Sequence, residues 1–236
     1  MSSIYHLHIP RTSGIYIKNN VIPHLISNGV KHFISNRTKI DTDHIKESQF
    51  VGGHFGLMPL DYMENPEVFT IIRNPVERFI SYFKYTTGPI RAGIEAEEKL
   101  ERWLYGDESR VQSNLQSKFL TGKINIEKFN SRVGMMQDAV NNQWYLEGFS
   151  LELKDILSNV DKFKCYTMEE LDLFKEDLNR SLKNNFNFST FKHSDKANSS
   201  YDVGINFTKS HIERIKELNS IDLEVYEYVQ KIKKEY

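Results

Sequence analysis

The strongest constraint on the fold is an alternation of short apolar segments with helical ones. The segment from Ile4 to Ile9 alternates apolar residues with Tyr and His before it stops at Pro10, which predicts a short strand. The apolar, β-rich run from Glu67 to Ile72 predicts the clearest strand in the chain. Because helical patterns follow these strands, we predict an α/β fold with a central, mostly parallel sheet flanked by helices.

The remaining pattern completes this prediction. Further strands are predicted over 31–35, 49–51 and 162–167. Helices are predicted over 15–26 with a kink or restart at Pro23, after Asn74-Pro75, over 168–182, and as one or two closing helices over 207–236. We predict a single domain over 1–236 with a mainly helical insertion at about 93–150 and a polar loop over 192–204.

Composition excludes several classes of protein. With 236 residues, 39% hydrophobic residues and a formal net charge of −1, the chain is expected to be globular and not to bind nucleic acid through a general basic surface. The single cysteine allows no internal disulfide and fits a reducing compartment. No apolar run reaches the roughly 18 residues of a transmembrane helix, and the first ten residues do not form a secretory signal.

The turn after the first strand is a candidate anion site. The turn leads from the strand into a helix and consists of Arg11, Thr12, Ser13, Gly14 and Ile15. At the start of a helix, free backbone N–H groups and the helix dipole attract phosphate. Arg11 adds a charged fork of N–H groups, and the glycine allows a close approach. A capped helix after a strand is the structural alternative. The Walker A pattern is absent, which argues against a kinase of the P-loop type.

The end of the Glu67–Ile72 strand is a second candidate. Arg73 ends the strand and Ser81 lies in the following helix, so both are expected to face one crevice and to suit a second phosphate. The alternative is an Arg73 that pairs with Glu77 and a Ser81 that only packs. We interpret Arg78 as a structural residue that ties the helix to carbonyls or carboxylates.

These two segments resemble those of carbohydrate sulfotransferases that use 3′-phosphoadenosine-5′-phosphosulfate (PAPS). HIPRTSGIYI is similar to the 5′-phosphosulfate loop of the membrane-type enzymes, usually P-K-T-G-G-T or P-K-T-A-S-T. FTIIRNPVERFISYFKY is similar to their 3′-phosphate segment, commonly R-D-P-[VI]-E-R-x-x-S, whose Arg and Ser match Arg73 and Ser81. Three further stretches of the sequence resemble segments of the family and follow one another in the same order: GGHFGL, NLQSKFLTG and KCYTMEELDLF. The segment that GGHFGL resembles is found in uronyl 2-O-sulfotransferases such as the heparan sulfate enzyme.

The resemblance implies a sulfotransferase fold of the P-loop-like kind and transfer of a sulfuryl group from PAPS to a carbohydrate hydroxyl by in-line displacement. Adenosine 3′,5′-bisphosphate is then the product, and no metal is expected. By position Arg11 is the cation beside the leaving oxygen, where the family usually has Lys. Arg keeps the charge but cannot donate its proton. A degenerate protein that binds nucleotide or sulfated glycan without turnover is therefore the alternative.

The same resemblance points to a base and to further contacts. His54 matches the proposed base of the 2-O-sulfotransferases, with Glu47 or Glu64 as alternatives, and a turn-capping His as the structural reading. His6 and His8 are expected to pack within the first strand, and the alternative is that one of them lines the cleft. The predicted contacts to the acceptor are Asn114, Gln116 and Lys118, and the alternative is that these residues form a solvated helix face. The predicted contacts to the adenosine are Lys196, Ser199 and Ser200.

The partner implied by the family is a glycan or another hydroxyl-bearing acceptor. Golgi members of the family carry a membrane anchor, for which this sequence has no apolar run of sufficient length. We therefore expect a cytoplasmic protein of bacterial or viral origin.

Overall fold

The fold is built on a central sheet of five parallel strands, and the computed structural model describes residues 3–12, 14–34, 39–88, 94–131, 146–186 and 204–232. The strands of the sheet are β1 (Ile4–Leu7), β2 (His32–Ile34), β3 (Phe50–Gly53), β4 (Glu67–Ile72) and β7 (Lys164–Thr167). Their order across the sheet is β2-β3-β1-β4-β7, and every neighbouring pair is parallel. The predicted α/β class and parallel sheet are confirmed.

Helices flank the sheet, and a small antiparallel pair, β5 (Lys123–Ile124) with β6 (Leu146–Glu147), lies apart from it. The helices are α1 (Gly14–Tyr16), α2 (Ile22–Ser27), α3 (Thr42–Glu47), α4 (Pro75–Thr87), α5 (Ile94–Leu104), α6 (Ser109–Gln112), α7 (Leu115–Thr121), α8 (Ile126–Ser131), α9 (Leu153–Lys162), α10 (Leu171–Phe186), α11 (Lys209–Leu218) and α12 (Ser220–Ile232). None of the helices in the described ranges has the length and apolar character that a membrane crossing needs.

Both faces of the sheet are buried, as the near-continuous apolar strands require. Alternate residues of each strand point to opposite faces, so Tyr5 and Ile72 pack on one side, and Ile4 and Phe69 on the other. The first side is covered by α7, α9 and α12, and the second by α1, α2 and α10. A third apolar cluster joins α4, α5 and α11. The sheet is therefore the rigid layer on which the loops at its strand ends are held.

The predicted interruption at Pro23 is confirmed. Between α1 and α2 the chain forms a π-helical turn over Ile17–Val21, and Ile22 N–H donates to the carbonyl of Ile17. Proline has no N–H to continue the α-helical ladder, so the chain accommodates it near the start of α2. Helical backbone therefore runs from Gly14 to Ser27, with the π-helical turn between its two α-helical parts.

The local signals around β4 are also confirmed. The strand has the predicted bounds, and the side chain of Asn74 accepts hydrogen bonds from the backbone N–H groups of Val76 and Glu77 at the start of α4. The two closing helices are present as α11 and α12. The described part of the predicted, mainly helical insertion at about 93–150 contains α5 to α8 together with β5 and β6, and strands of two residues have too little periodicity to detect in a sequence. The predicted loop over 192–203 lies outside the described residues.

The strand order creates a topological switch point between β1 and β4. The chain leaves β1 toward β2 on one side of the sheet, whereas it leaves β4 toward β7 on the other. Loops at such a point diverge and leave a crevice beyond the carboxyl ends of the two strands, where ligands bind in open α/β sheets. The Thr70 hydroxyl donates to the carbonyl of Leu7 at 2.9 Å, which ties the two strands together just below the crevice.

Candidate functional site

The two predicted phosphate segments meet at the crevice between β1 and β4. Arg11 Nε donates a hydrogen bond to Ser81 Oγ at 3.1 Å, although the two residues are 70 positions apart in the sequence. Arg11 follows β1 and Ser81 lies in α4, which follows β4. A guanidinium and a hydroxyl therefore converge where the topology predicts a ligand.

Arg11 is held in an uncommon conformation. Its φ is 73°, in the left-handed region that non-glycine residues seldom occupy. Its guanidinium carbon lies 4.7 Å from the ring centroid of Tyr85, one turn beyond Ser81 in α4. Such strain costs about 1–3 kcal/mol and persists only where surrounding contacts hold it, which is common at binding sites. The stack on Tyr85 and the hydrogen bond to Ser81 are contacts of this kind.

The rest of the first segment forms a tight turn. The Thr12 hydroxyl is buried and donates to the carbonyl of Ile9 at 2.9 Å, so it stabilises the turn. Gly14 starts the helical segment, and a Cβ atom there would lie only 2.2 Å from Cε1 of His8. Only glycine allows this approach. Ile15 lies half-buried in α1, and Ser13 lies outside the described residues.

Arg73 has both a charged partner and a backbone clamp. Its Nε and Nη2 each donate to Glu77 Oε2 at 3.3 Å, as the structural alternative proposed. The side-chain amide of Gln116 accepts from Arg73 N–H at 2.8 Å and donates to the Arg73 carbonyl at 2.9 Å. The backbone of Arg73 is thus fixed from both sides, while its half-exposed ion pair is of the weak surface type.

His54 follows β3 and faces the turn after β1. Its Nδ1 lies 2.6 Å from the carbonyl oxygen of His8, and its ring stacks on the ring of His8 with centroids 4.2 Å apart. A carbonyl can only accept, so Nδ1 carries the hydrogen and Nε2 carries the lone pair of the neutral ring. The ring of Phe119 lies edge-on to His54 at 6.1 Å. The arrangement orients His54 with its basic nitrogen away from the sheet carbonyl.

Three imidazoles form a continuous stack beneath the site. The rings of His6 and His8 lie 5.4 Å apart, and His54 completes the row. Burial, and then the charge of His54, lowers the pKa of His6 to about 3, while burial lowers the pKa of His54 to about 4. Burial, with the charges of His54, His6 and Arg11, also lowers the pKa of His8 well below its ordinary value. All three rings are neutral near pH 7.

Helix α7 connects the Arg73 end of the site to the His54 end. At its start Gln116 clamps Arg73, and at its end the Gly122 carbonyl accepts from Leu57 N–H at 2.7 Å. A Cβ at Gly56 would lie 2.1 Å from the same carbonyl oxygen, so the loop after His54 passes against the end of α7. Gly56 has φ of 58°, which glycine adopts without strain. The helix therefore positions both predicted phosphate and base residues.

The three predicted acceptor contacts are engaged in interactions within the fold. The Asn114 side-chain oxygen accepts from the N–H groups of Ile221 and Asp222 at the start of α12, and Gln116 clamps Arg73. Lys118 Nζ donates to the Arg110 carbonyl at 2.5 Å, and burial lowers its pKa to about 8. These hydrogen bonds lie within the fold, and contact of the three residues with an acceptor stays a prediction.

The alternative bases lie at the wrong end of the sheet. Glu47 ends α3 just before β3, where it pairs with Lys31, and Glu64 precedes β4, where its carbonyl accepts from the Ser3 hydroxyl. Both positions are at the amino ends of parallel strands, whereas His54 and Arg73 follow carboxyl ends. Glu47 and Glu64 are therefore incorrect as candidates for a base at this site.

Arg78 is fully buried beside the site. None of its guanidinium nitrogens has a hydrogen-bond partner within the described ranges, so the expected bonds to carbonyls or carboxylates do not form there. Burial lowers its pKa, and the charge of Asp222 opposes this. Its ring contact with Tyr82 is 6.0 Å from guanidinium carbon to centroid. Arg78 is thus buried within the fold, where Tyr82 and the charge of Asp222 lie near its guanidinium.

A cavity and a possible metal site were the remaining features to compare with the predicted site residues. A cavity of about 410 Å³ lies beside the edge strand β2, lined by Ile22, His32, Phe33, Ile34, Lys39, Asp41 and His44, none of which is a predicted site residue. Despite the histidine stack, the part of the chain that the structure describes contains no group of three or more His, Cys, Asp or Glu arranged to hold a metal ion. Lys196, Ser199 and Ser200 lie outside the described residues, so their contact with adenosine stays a prediction.

The chain was compared with protein-family models and with curated proteins, and neither a model nor a protein matches it. Any assignment of function therefore depends on the residues of the site and their geometry. The sequence analysis did not predict Tyr85 or the contact of Gln116 with Arg73, because both depend on contacts between distant elements. It interpreted His8 mainly as a packing residue, although its position three residues before Arg11 was a usable signal.

Proposed function

We propose that this chain is a PAPS-dependent sulfotransferase with a P-loop-like sulfotransferase fold, and that it transfers a sulfuryl group to a hydroxyl of a carbohydrate acceptor. The observation that carries this proposal is the hydrogen bond between Arg11 and Ser81 at the switch point. It unites the two sequence segments that resemble the 5′- and 3′-phosphate segments of the family. The parallel sheet and the crevice beyond its carboxyl ends support the same reading.

In this proposal PAPS lies across the carboxyl ends of β1 and β4. The turn from Arg11 to Ile15, including Thr12, Ser13 and Gly14, receives the 5′-phosphosulfate, mainly through backbone N–H groups. Arg73 and Ser81 receive the 3′-phosphate. Because the ion pair of Arg73 with Glu77 is exposed to solvent and long, a phosphate competes with it easily.

The reaction is an in-line displacement at sulfur. The acceptor oxygen forms a bond to sulfur while the bond from sulfur to the bridging oxygen breaks, and adenosine 3′,5′-bisphosphate leaves with that electron pair. Negative charge grows on the bridging oxygen, and the Arg11 guanidinium is the cation proposed to stabilise it. The proton of the acceptor hydroxyl goes to Nε2 of His54, the nitrogen that carries the lone pair. Positioning and charge stabilisation supply most of the rate, as in phosphoryl transfer.

The low pKa of His54 fits this role when PAPS is bound. In the structure burial lowers the pKa of His54 to about 4, which makes the ring a weak base. The negative charges of a bound sulfuryl donor favour the protonated ring and so raise that pKa toward the working pH. His54 is therefore proposed to gain basicity where and when the acceptor is attacked.

A nucleotide-binding protein without turnover is the second candidate, and Arg11 favours it. An arginine stacked on Tyr85 keeps its charge but cannot deliver a proton to the leaving oxygen. Transfer that is absent in the wild-type chain and present in Arg11→Lys, with [³⁵S]PAPS and a panel of glycans, would identify this candidate. Transfer by the wild-type chain excludes it.

Thermal unfolding with adenosine 3′,5′-bisphosphate tests the binding site. At about 100 times the dissociation constant the ligand stabilises the fold by about 2.7 kcal/mol, which raises Tm by roughly 5–10 °C for a chain of this size. Arg73→Ala is expected to lose the shift. Arg102→Ala is the matched control, because this exposed arginine also pairs with a glutamate, Glu108.

The same experiment separates binding from chemistry. His54→Ala is expected to keep the thermal shift with the bisphosphate and to lose transfer of the ³⁵S label by at least about 100-fold, the usual contribution of a general base. A wild-type chain that shows no shift at saturating bisphosphate contradicts the proposed function. A shift that survives Arg73→Ala contradicts the assignment of the 3′-phosphate site.

A further inference from the structure

His8 lies between the proposed base and the turn proposed to receive the 5′-phosphosulfate. It is the first residue beyond β1, and its backbone N–H donates to the carbonyl of Gly53 at 3.1 Å. Its carbonyl orients His54, and its ring stacks on the ring of His54 at an angle of 29°. His8 is therefore fixed by backbone and by ring contacts at the bottom of the crevice.

The imidazole edge of His8 faces the start of the helical segment. A Cβ at Gly14 would lie 2.2 Å from Cε1 and 2.7 Å from Nε2 of His8. The ring thus occupies the space that a side chain at position 14 would take. Nε2 therefore lies beside the glycine of the turn that is proposed to receive the 5′-phosphosulfate.

Nε2 of His8 is buried and has no hydrogen-bond partner within the described ranges. A buried polar atom left in this state destabilises the fold, and native structures keep few of them. The ring also stacks on the rings of His6 and His54. Packing alone would be served as well by a phenylalanine, which carries no such cost. Among the described residues this nitrogen therefore lacks a hydrogen-bond partner, which an oxygen of a bound ligand would supply.

We propose that Nε2 of His8 donates a hydrogen bond to an oxygen of the 5′-phosphosulfate of the sulfuryl donor. This rests on the proposed function, and it assigns to His8 a contact with the ligand that is separate from the role of His54. The neutral ring supplies one N–H, and an oxygen of a phosphate or sulfate group accepts it. Because the hydrogen of the neutral His8 ring is on Nε2, the lone pair of the ring is on Nδ1.

Two substitutions separate this contact from packing. His8→Phe keeps an aromatic ring against His54 and Gly14 and removes Nε2, whereas His8→Gln returns an N–H near the position of Nε2. Calorimetric titration of each folded variant uses adenosine 3′,5′-bisphosphate and, as a matched ligand without the 5′ group, adenosine 3′-monophosphate. We expect His8→Phe to bind the bisphosphate about tenfold more weakly, or roughly 1.4 kcal/mol. The affinity for the monophosphate is expected to stay unchanged, and His8→Gln to recover most of the loss.

The wild-type chain provides a second measurement that needs no variant. The ¹⁵N shift of His8 Nε2 in an imidazole-selective NMR spectrum is expected to move on addition of the bisphosphate and not on addition of the monophosphate. Equal bisphosphate affinity of His8→Phe and wild type, or an Nε2 shift that does not respond, overturns the contact. A wild-type chain that binds neither nucleotide overturns the proposed function, so the two failures are distinguishable.

Discussion

The rings of His6, His8 and His54 show how single residues depend on their burial. In an unfolded chain each ring takes up a proton near pH 6.5, whereas in the folded chain the pKa of His6 is about 3 and that of His54 is about 4. The unfolded chain therefore binds protons first as the pH falls. Stability is complete above about pH 6.5 and is lost as the pH falls toward about 4.

This linkage gives a prediction for urea unfolding. The free energy of unfolding is expected to fall steadily from about pH 7 to about pH 5, and for His54 alone the full loss down to its folded pKa is about 3 kcal/mol. His54→Gln removes one of the titrating rings, so its curve is expected to be less steep. Midpoints of urea unfolding at several pH values measure both. Parallel curves for wild type and variant would show that His54 does not titrate as its burial requires.

At the scale of elements, α7 acts as a brace between two strand ends. Its glutamine at position 116 bonds both backbone groups of Arg73, and its last turn lies against the loop that carries His54. The start of α7 is in turn capped from α12, where the carboxylate of Asp222 accepts from the N–H groups of Gln116 and Ser117. Gln116, which the sequence predicts as a contact to the acceptor, thus holds the residues of the site in position.

Gln116→Leu tests this role. The substitution leaves the N–H and the carbonyl of Arg73 without their side-chain partner, so we expect the free energy of unfolding to fall by about 1–3 kcal/mol. The affinity for adenosine 3′,5′-bisphosphate is expected to fall as well, because the Arg73 backbone is no longer fixed. Urea unfolding and calorimetric titration measure the two effects.

Gln112→Leu is the matched control. Gln112 is a buried glutamine of the neighbouring helix α6, and its side-chain oxygen has no hydrogen-bond partner within the described ranges. Its replacement is expected to leave stability unchanged or to raise it, since no hydrogen bond to that oxygen is lost. Equal destabilisation by both variants would mean that packing volume, and not the clamp on Arg73, decides the effect.

At the scale of the whole molecule, the middle and the end of the chain cap each other. Asn114 accepts from the N–H groups of Ile221 and Asp222 at the start of α12, while Asp222 accepts from Gln116 and Ser117 at the start of α7. The Ser117 pair is 105 positions apart in the sequence. Each helix start is thus satisfied only when the other helix is docked, which makes the closing helix part of the central fold.

A double-mutant cycle measures this mutual capping. Asn114→Ala and Asp222→Ala are each expected to lower the free energy of unfolding by about 1–3 kcal/mol. The double variant is expected to lose less than the sum, with a coupling of about 0.5–3 kcal/mol. Asn28→Ala, an exposed residue with only local bonds, combined with Asp222→Ala is expected to be additive. Additivity of Asn114→Ala with Asp222→Ala would rule out mutual capping.

The sequence by itself determined the elements whose signals are local. Periodicity and the chemistry of residues a few positions apart predict four such features. They are the apolar strand β4, the helix start at Asn74-Pro75, the interruption at Pro23 and the two closing helices. The turn at Arg11 and the segment from Arg73 to Ser81 were predicted as two phosphate segments for the same reason, since each joins the end of a strand to a helix.

Only the tertiary structure decided which of these residues face one another. Arg11 meets Ser81 across 70 positions, Gln116 binds Arg73 across 43, and Asn114 caps a helix more than 100 positions away. Burial then sets the neutral state of the histidine stack, and Nε2 of His8 finds no hydrogen-bond partner among the residues that the structure describes. Partners and burial depend on how distant elements pack, and a pattern read over neighbouring residues carries no information about that packing.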